Sequence, residues 1–270
     1  MIGILREGLA DYGIELRCYI DRIHVYCDAQ TRTSDLQELV SPAQGQERVQ
    51  SRRLPKHADM VQRIWWSQPS VGDLRKLRAV IKGNYLINYL ELALDFCGKD
   101  EEILERWRGC LEQMLVWDRK RKKIGNRFYF QRYEASTYFA ERTAKVGMTF
   151  YSDRLKGQDV PPVHLELRFK GLPGVRRTGA AILDNLIEFD HEKLWTSQLD
   201  LRRPNWTVLG NLLPARGSGR HGAIKRAKRF MADNGSLQEL LAVHPCYAVA
   251  FTPFTGAKAL TKFISSHMHD

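Results

Sequence analysis

The sequence predicts an α+β fold in which helices pack on one face of a mostly antiparallel sheet. Segments with alternating apolar and polar residues recur along the chain, at 18–27, 85–97, 127–133, 136–142, 146–151 and 163–169. The last four follow one another without a helical segment between them, and strands joined by short links pair antiparallel. Segments of helical period, such as 101–117, flank these strands and carry apolar stripes that need a sheet face to cover.

The charge balance points to a polyanionic partner. Lys and Arg number 42 against 31 Asp and Glu, which gives a net charge of +11 and a pI near 9.5. Such a surplus attracts nucleic acid or an anionic membrane, although a basic but otherwise ordinary protein is the alternative. No apolar run approaches the roughly 20 residues that cross a bilayer, so no membrane partner is expected. Unpaired cysteine spacing and a charged N-terminus predict a cytoplasmic protein.

Two regions are predicted along the chain. Residues 1–200 form a catalytic domain, within which 31–60 is a polar loop or insertion that contains Pro42, Gly45 and Pro55. Residues 201–270 form a basic, helical C-terminal region that is a candidate DNA-binding appendage. The breaks that suggest this division are Pro204 and the Pro- and Gly-containing stretch 214–222.

The segment 163–171 presents a polar strand face. His164, Glu166, Arg168 and Lys170 alternate with apolar residues and therefore point to the same side of a sheet. His164 and Glu166 lie about 6.6 Å apart along a strand, close enough to share a substrate or a metal ion. The alternative is a solvated strand face of mixed charge.

Two further carboxylates occur in the strand 85–97. Glu91 and Asp95 share a face, but four residues separate them, which is about 13 Å on a flat strand. They are therefore expected to have different roles. Either one can meet Glu166 across neighbouring strands at about 5 Å. Carboxylates at that distance repel unless a cation lies between them, and oxygen ligands suit Mg²⁺ or Mn²⁺.

A tyrosine follows in the strand 146–151. Thr149 and Tyr151 share a face, and Tyr151 precedes a polar loop. A tyrosine hydroxyl can attack phosphorus when a metal ion and nearby basic side chains polarise the phosphate. A tyrosine that packs in a half-buried position is the alternative interpretation.

A basic stretch lies near the C-terminus, at 214–230. Flexible glycines precede a predicted helix, and the segment contains no acidic residue. It fits phosphate contacts that position DNA without reading its sequence, with a solvated basic face as the alternative. The candidate residues are Arg216, Arg220, Lys225, Arg226, Lys228 and Arg229.

The order of "LELALDF", "TYF…VGMTFYSDRLKG" and "VHLELRFKG" resembles the replication initiation factor family, the trans-acting Rep proteins of rolling-circle plasmids and phages. The resemblance covers about residues 85–171. It implies that Glu91 and Asp95 are the acidic positions of the first strand, Tyr151 is the nucleophile and Glu166 is the glutamate of the last strand.

The sequence also departs from the family pattern. Tyr89 and His164 stand where the family has Arg, and Ala140 replaces a glycine. Asp153 occupies the Lys position that follows the tyrosine, although Arg154 and Lys156 lie close by.

The resemblance implies a HUH-like, Rep-type nicking domain that initiates rolling-circle replication. Tyr151 would cut one strand of an origin that is partly single-stranded, leaving a 5′-phosphotyrosyl enzyme and a 3′-OH primer. Glu91, Glu166, Asp95 and His164 are the implied ligands of Mg²⁺ or Mn²⁺. Arg154, Lys156, Arg168 and Lys170 are the implied DNA contacts near the nick, and a host helicase and a homodimer are possible partners.

Two alternatives stay open at this point. One is a non-catalytic DNA-binding regulator with the same fold, which the departures at Asp153 and His164 favour. The other is a tyrosine relaxase or recombinase of a mobile element, although the internal histidine-hydrophobic-histidine triplet of the common relaxases is missing.

Overall fold

The structure is a computed structural model of the 270-residue chain. It describes residues 1–39, 48–55, 57–118, 127–134, 136–152, 159–214, 219–233, 235–254 and 256–268. Within these ranges the fold is α+β, with a large antiparallel sheet and helices, as the sequence predicts.

An eight-stranded sheet forms the centre of the described residues, in the order β2-β3-β1-β4-β9-β8-β7-β6. Every neighbouring pair in it is antiparallel. Its strands are β1 (Glu15–Asp28), β2 (Arg48–Ser51), β3 (Met60–Ser67), β4 (Tyr85–Cys97), β6 (Gln131–Tyr133), β7 (Ser136–Tyr138), β8 (Val146–Tyr151) and β9 (Val163–Lys170). A second sheet has the order β11-β10-β5. It contains β5 (Leu115–Val116), β10 (Asp200–Pro204) and β11 (Phe251–Pro253).

Eleven α-helices occur in the described residues. They are α1 (Ile2–Ala10), α2 (Thr33–Leu39), α3 (Val71–Val80), α4 (Glu101–Met114), α5 (Gly171–Val175), α6 (Leu183–Ile187), α7 (His191–Gln198), α8 (Trp206–Leu212), α9 (Arg220–Asp233), α10 (Leu237–Val243) and α11 (Ala257–Met268). Short 3₁₀ turns cover Arg176–Thr178 and Pro245–Ala250.

The apolar face of the large sheet packs against helices. Alternate residues of β4, among them Leu90, Leu92 and Leu94, are fully buried in one hydrophobic cluster. The same cluster contains Trp107 of α4 and Trp195 of α7, and the Trp195 indole N–H donates to the Ala93 carbonyl oxygen at 3.2 Å. The helices thus cover one side of the sheet, and the opposite face carries the polar residues.

Two bulges change which side chains share a face. In β1 the pairing passes from Ile20 to Arg22, so Asp21 is an extra residue in the strand. Tyr19 therefore lies on the polar face, whereas simple alternation from the sequence placed it with Ile23. A second register shift, beside Asn88 in β4, moves Leu86 to the polar face. There it packs in a small separate cluster with Tyr26.

The segment 31–60, expected to be a loop or insertion, contains two elements of regular secondary structure within the described residues. Residues 33–39 form α2, and 48–51 form β2, which pairs with β3 from Arg48 opposite Trp65 to Ser51 opposite Gln62. Pairing with a long, half-buried neighbour stabilises a short strand whose own sequence is largely polar. Residues 40–47 and Lys56 lie outside the described residues.

The C-terminal third contributes to two hydrophobic clusters. Leu209 of α8, Ala227 of α9 and Leu240 of α10 form a second core, which also takes in Val116. In contrast, Leu260 and Ile264 of α11 pack in the first cluster together with α1 and α4. The domain boundary near residue 200 stays a prediction. Although α11 follows that boundary, it belongs to the same hydrophobic cluster as the large sheet.

Among the described helices, none combines the length and the apolar character that crossing a membrane requires.

Candidate metal and nucleophile site

The predicted chemistry-bearing residues lie on the polar face of the large sheet, in register across three strands. Asp95 of β4 is opposite His164 of β9, which is opposite Tyr151 of β8. Two residues further along β9, Glu166 lies opposite Ala93 of β4. The antiparallel pairing that the sequence predicts for these strands is therefore what brings the tyrosine, the histidine and the glutamate together.

Three carboxylates meet on this face. One oxygen from each of Asp21, Glu91 and Glu166 can be chosen so that all three lie within 4.8 Å of one another. Glu91 and Glu166 are residues expected from the sequence. Asp21 is not, since in the sequence it only interrupts an alternating strand. An acidic residue that breaks an apolar alternation was the available signal, and the bulge at Asp21 explains how it reaches the site.

The pKa values of Glu91 and Glu166 shift in opposite directions, although burial acts to raise both. Burial raises the pKa of Glu91, and the nearby charge of Glu166 raises it further. Burial also acts to raise the pKa of Glu166, but the nearby His164 imidazole and the hydrogen bonds from Arg168 outweigh it and hold that pKa well below its usual range. The pair thus behaves as two crowded carboxylates of which one is kept ionised.

Two arginines pair with the same carboxylates. The Arg168 guanidinium donates to both oxygens of Glu166, and its Nε lies 3.4 Å from Glu91 Oε1. A nitrogen of Arg22 lies 3.4 Å from Glu91 Oε2. These cations offset part of the negative charge that three acidic side chains bring together.

The donor set fits a hard divalent cation. All three side chains offer carboxylate oxygen, which Mg²⁺ and Mn²⁺ prefer. Glu91 is 1% exposed, and within the described residues its Oε2 has no hydrogen-bond partner. A buried carboxylate oxygen in that condition is costly unless an ion or a water molecule satisfies it. Asp21, Glu91 and Glu166 are therefore the residues that could hold the metal ion.

Tyr151 lies beside this three-carboxylate group. Its hydroxyl donates to Glu166 Oε2 at 3.4 Å, and its ring tilts over His164 with 4.4 Å between ring centroids. Burial raises the pKa of the Tyr151 phenol, and the negative charges of Glu166 and Asp21 raise it further. The phenol is half-buried, and these effects keep it in its neutral form.

Asp95 and His164 form a separate arrangement. Asp95 Oδ1 lies 2.5 Å from His164 Nδ1, and the Tyr19 hydroxyl donates to Asp95 Oδ2 at 2.9 Å. Burial by itself lowers the pKa of His164, but the hydrogen bond to Asp95 and the nearby carboxylate of Glu166 outweigh it and raise that pKa to about 9. Neither residue belongs to the three-carboxylate group. Their assignment as metal ligands, and the expected difference in role between Asp95 and Glu91, stay predictions.

The predicted DNA contacts divide into three sets. Arg168 and Lys170 lie on the polar face near the carboxylates, and the Lys170 ammonium donates to the Arg142 carbonyl oxygen at 2.8 Å. Along α9, the exposed members are Arg220, Lys225, Lys228 and Arg229. Arg226 is half-buried and donates to the Gly210 carbonyl oxygen at 3.3 Å. Arg154, Lys156 and Arg216 lie outside the described residues.

Comparisons with family models and with curated proteins find no match for this chain. Among solved structures, it is similar to the rolling circle replication initiator protein from Geobacillus stearothermophilus, with a TM-score of 0.37 and 12% sequence identity. The similarity covers 81% of this chain and 96% of that chain.

Proposed function

We propose that this chain nicks one strand of a DNA origin with Tyr151 and so initiates rolling-circle replication. The observation that best supports this is the position of the Tyr151 hydroxyl, 3.4 Å from a carboxylate of the three-carboxylate group. A phenol next to a set of cation ligands, on the polar face of a basic protein, is the arrangement that phosphoryl transfer to tyrosine requires. The order of the motifs along the chain supports the same proposal.

In the proposed reaction, Tyr151 Oη forms a bond to the phosphorus of the scissile phosphate, and the bond from phosphorus to the 3′-oxygen breaks. The products are a 5′-phosphotyrosyl enzyme and a 3′-oxygen that takes up a proton to become a 3′-OH primer. The Tyr151 hydroxyl donates a hydrogen bond to Glu166, which orients it, and the phenol proton passes to solvent as the bond to phosphorus forms. Reversal of the same step with a new 3′-OH reseals the strand.

Asp21, Glu91 and Glu166 would hold Mg²⁺ or Mn²⁺ in this proposal. The ion, when bound, supplies Lewis-acid polarisation of a phosphate oxygen. Arg168 is placed to contribute positive charge beside the phosphate, since it lies between the carboxylates and Lys170 on β9. His164 orients Tyr151 through ring contact and is itself fixed by Asp95.

The basic helix α9 extends the proposal to duplex DNA. Its exposed Arg and Lys side chains suit phosphate contacts, which position DNA without reading its sequence. Nicking also needs a locally single-stranded target at Tyr151. A host helicase partner, a homodimer and a cytoplasmic location stay predictions.

The experiment that tests the proposal is a nicking assay on a supercoiled plasmid that carries the DNA flanking the chain's own gene. Wild type with Mg²⁺ or Mn²⁺ is expected to give open circles and a covalent protein–DNA adduct. Tyr151→Phe is expected to give neither. Tyr89→Phe is the matched control, because the Tyr89 hydroxyl donates to Glu91 in the same site. Normal nicking by Tyr151→Phe would show that the nucleophile is assigned wrongly.

A non-catalytic DNA-binding regulator is the second candidate, and one observation favours it. Arg168 and Arg22 already pair with the carboxylates that would hold the ion, so the site is partly neutralised without metal. Under that alternative, the chain binds DNA equally well with EDTA and shows no metal-dependent nicking. Nicking that depends on Mg²⁺ or Mn²⁺ excludes it.

A further inference from the structure

A groove of about 630 Å³ opens on the polar face of the sheet, next to the three-carboxylate group. Strands β6, β7, β8 and β9 line it, together with the turn that joins β7 to β8. Thr149 and Arg168 form its boundary with the metal and nucleophile site, since Thr149 pairs with Glu166 and Arg168 donates to Glu166. The groove is thus continuous with the place where chemistry is proposed.

Aromatic rings line the part of the groove on β6 and β7. Tyr133 is 63% exposed, although a tyrosine ring normally covers apolar surface. Tyr138 is half-buried, and the Arg168 guanidinium carbon lies 5.8 Å from its ring centroid. An exposed ring beside a ring that an arginine covers gives two flat surfaces on which unpaired bases can stack.

Basic groups line the other part of the groove. Arg142 is exposed and Lys170 is half-buried, and the two are joined by a hydrogen bond from the Lys170 ammonium to the Arg142 carbonyl oxygen. That hydrogen bond uses one of the three ammonium hydrogens and leaves the Arg142 guanidinium unaffected. Gly147 also lines the groove, and because it has no side chain it leaves room in the groove.

We propose that this groove binds the single-stranded DNA on the 5′ side of the nick, with bases on Tyr133 and Tyr138 and phosphates at Arg142 and Lys170. The occupant is single-stranded because paired and stacked bases have no free face for a tyrosine ring. The inference rests on the proposed nicking function for the identity of the flank only, and binding itself needs no chemistry.

The choice of flank follows from the direction of attack. Tyr151 reaches Glu166 from the His164 end of β9, and the groove begins on the other side of Glu166, at Arg168. In phosphoryl transfer the attacking and leaving oxygens are roughly in line through phosphorus. The leaving 3′-oxygen, and the nucleotides that precede it, therefore depart from Tyr151 in the direction of the groove.

The first test measures binding alone. Fluorescence anisotropy of a labelled oligothymidine is recorded with the full chain in EDTA, where no nicking takes place. Tyr133→Ala is expected to weaken binding by about fivefold or more, the loss of one stacked base, and Tyr133→Phe to bind as wild type does. A duplex of the same length is expected to bind Tyr133→Ala and wild type equally.

The basic part of the groove is tested by salt dependence. Arg142→Ala is expected to make the slope of log affinity against log salt shallower by about 0.7, the value for one single-strand phosphate. Lys99→Ala is the matched control, an exposed lysine in the turn before α4, and should keep the wild-type slope. Unchanged oligothymidine affinity in both Tyr133→Ala and Arg142→Ala overturns the proposal, as does an equal loss for duplex DNA.

The second test decides the flank. Because the groove holds the 3′-OH strand, Tyr133→Ala is expected to lower the ratio of resealed to nicked plasmid, while Lys99→Ala keeps the wild-type ratio. A wild-type ratio in Tyr133→Ala, alongside weakened oligothymidine binding, contradicts the choice of flank. Failure of the nicking proposal is distinguishable, since it removes plasmid nicking from wild type but leaves the EDTA binding results intact.

Discussion

Asp95 Oδ1 lies 2.5 Å from His164 Nδ1, and both side chains are buried beneath Tyr151. The Asp95 carboxylate, together with Glu166, holds His164 in its charged form, which places a fixed positive charge under the proposed nucleophile. This contact and three other features of the fold each lead to a measurable prediction.

Loss of the Asp95 charge should destabilise the fold. Asp95→Asn leaves a buried imidazolium without its main partner, and breaking such a pair costs about 3–5 kcal/mol. Chemical denaturation in EDTA measures this cost. Tyr19→Phe removes only the hydrogen bond from the Tyr19 hydroxyl to the same carboxylate, and it should cost less, about 1.5–3 kcal/mol. Equal costs for the two variants would contradict a charged His164.

Divalent cations should stabilise the chain through Asp21, Glu91 and Glu166. Mg²⁺ or Mn²⁺ at about a hundred times its Kd adds about 2.7 kcal/mol to the free energy of unfolding. Glu91→Gln should lose most of this gain, yet match or exceed wild-type stability in EDTA, because it relieves repulsion with Glu166.

Glu105→Gln is the control for that measurement, since Glu105 is an exposed residue of α4 that pairs with Arg108. It should keep the full gain in stability from the ion. If Glu91→Gln retains the gain as well, the three-carboxylate group is not the cation site.

His24 should make stability depend on pH. Burial lowers the pKa of His24 to about 4, and the charges of Arg63 and Arg22 act in the same direction. Since the unfolded chain then binds more protons, this contribution to stability is complete above about pH 6.5 and is lost as pH falls towards 4.

The variant that tests this is His24→Phe, which keeps a ring to stack on Tyr89 and removes a buried nitrogen that has no hydrogen-bond partner within the described residues. It should be as stable as wild type near neutral pH. Its melting temperature in EDTA should fall less than that of wild type between pH 7 and pH 5. A fall of the same size in both proteins would rule out the contribution from His24.

Gly210 should be required where α8 crosses α9. A Cβ at Gly210 meets the Ala223 carbonyl oxygen at 2.2 Å, so the helices must move apart in Gly210→Ala. Overpacking of this kind costs about 1–3 kcal/mol, and it should also weaken duplex binding by α9.

The matched control is Gly109→Ala in α4, where a Cβ meets nothing within 4 Å. That variant should gain about 0.5–1 kcal/mol, because alanine loses less backbone entropy in a helix. Thermal denaturation and anisotropy with duplex DNA measure both variants. A Gly210→Ala variant as stable as Gly109→Ala would show that the crossing is not tight.

Strand alternation predicted much of the site, because it depends only on local periodicity. It placed His164 and Glu166 on one face of β9, Thr149 and Tyr151 on one face of β8, and Glu91 and Asp95 too far apart to act together. The register between β8 and β9 came from the structure. It did not identify Asp21 as a site residue. Asp21 interrupts the apolar alternation of β1, but whether such a residue bulges towards a site depends on tertiary pairing.

Helix limits show the same limitation. The apolar periodicity of 179–195 predicts one helix, but the structure has two, α6 and α7, separated at Glu188–Asp190, and the Asp190 carboxylate caps α7 by accepting from the Lys193 amide. The position of His267 near the end of the sequence predicts a frayed tail, but it lies in α11, where its Nε2 is 3.1 Å from Gln113 Oε1 of α4. Packing between distant segments decides both, and residue order alone does not reveal it.

The most direct test of the account is to identify the residue that becomes attached to DNA. The covalent adduct formed with Mg²⁺ or Mn²⁺ on the supercoiled plasmid is digested with nuclease and protease, and the modified peptide is sequenced by mass spectrometry. If Tyr151 is the nucleophile, the modified peptide carries a nucleotide joined through phosphate to the Tyr151 oxygen. A nucleotide on Tyr89 or Tyr19, or plasmid nicked by wild type without any covalent adduct, would contradict it.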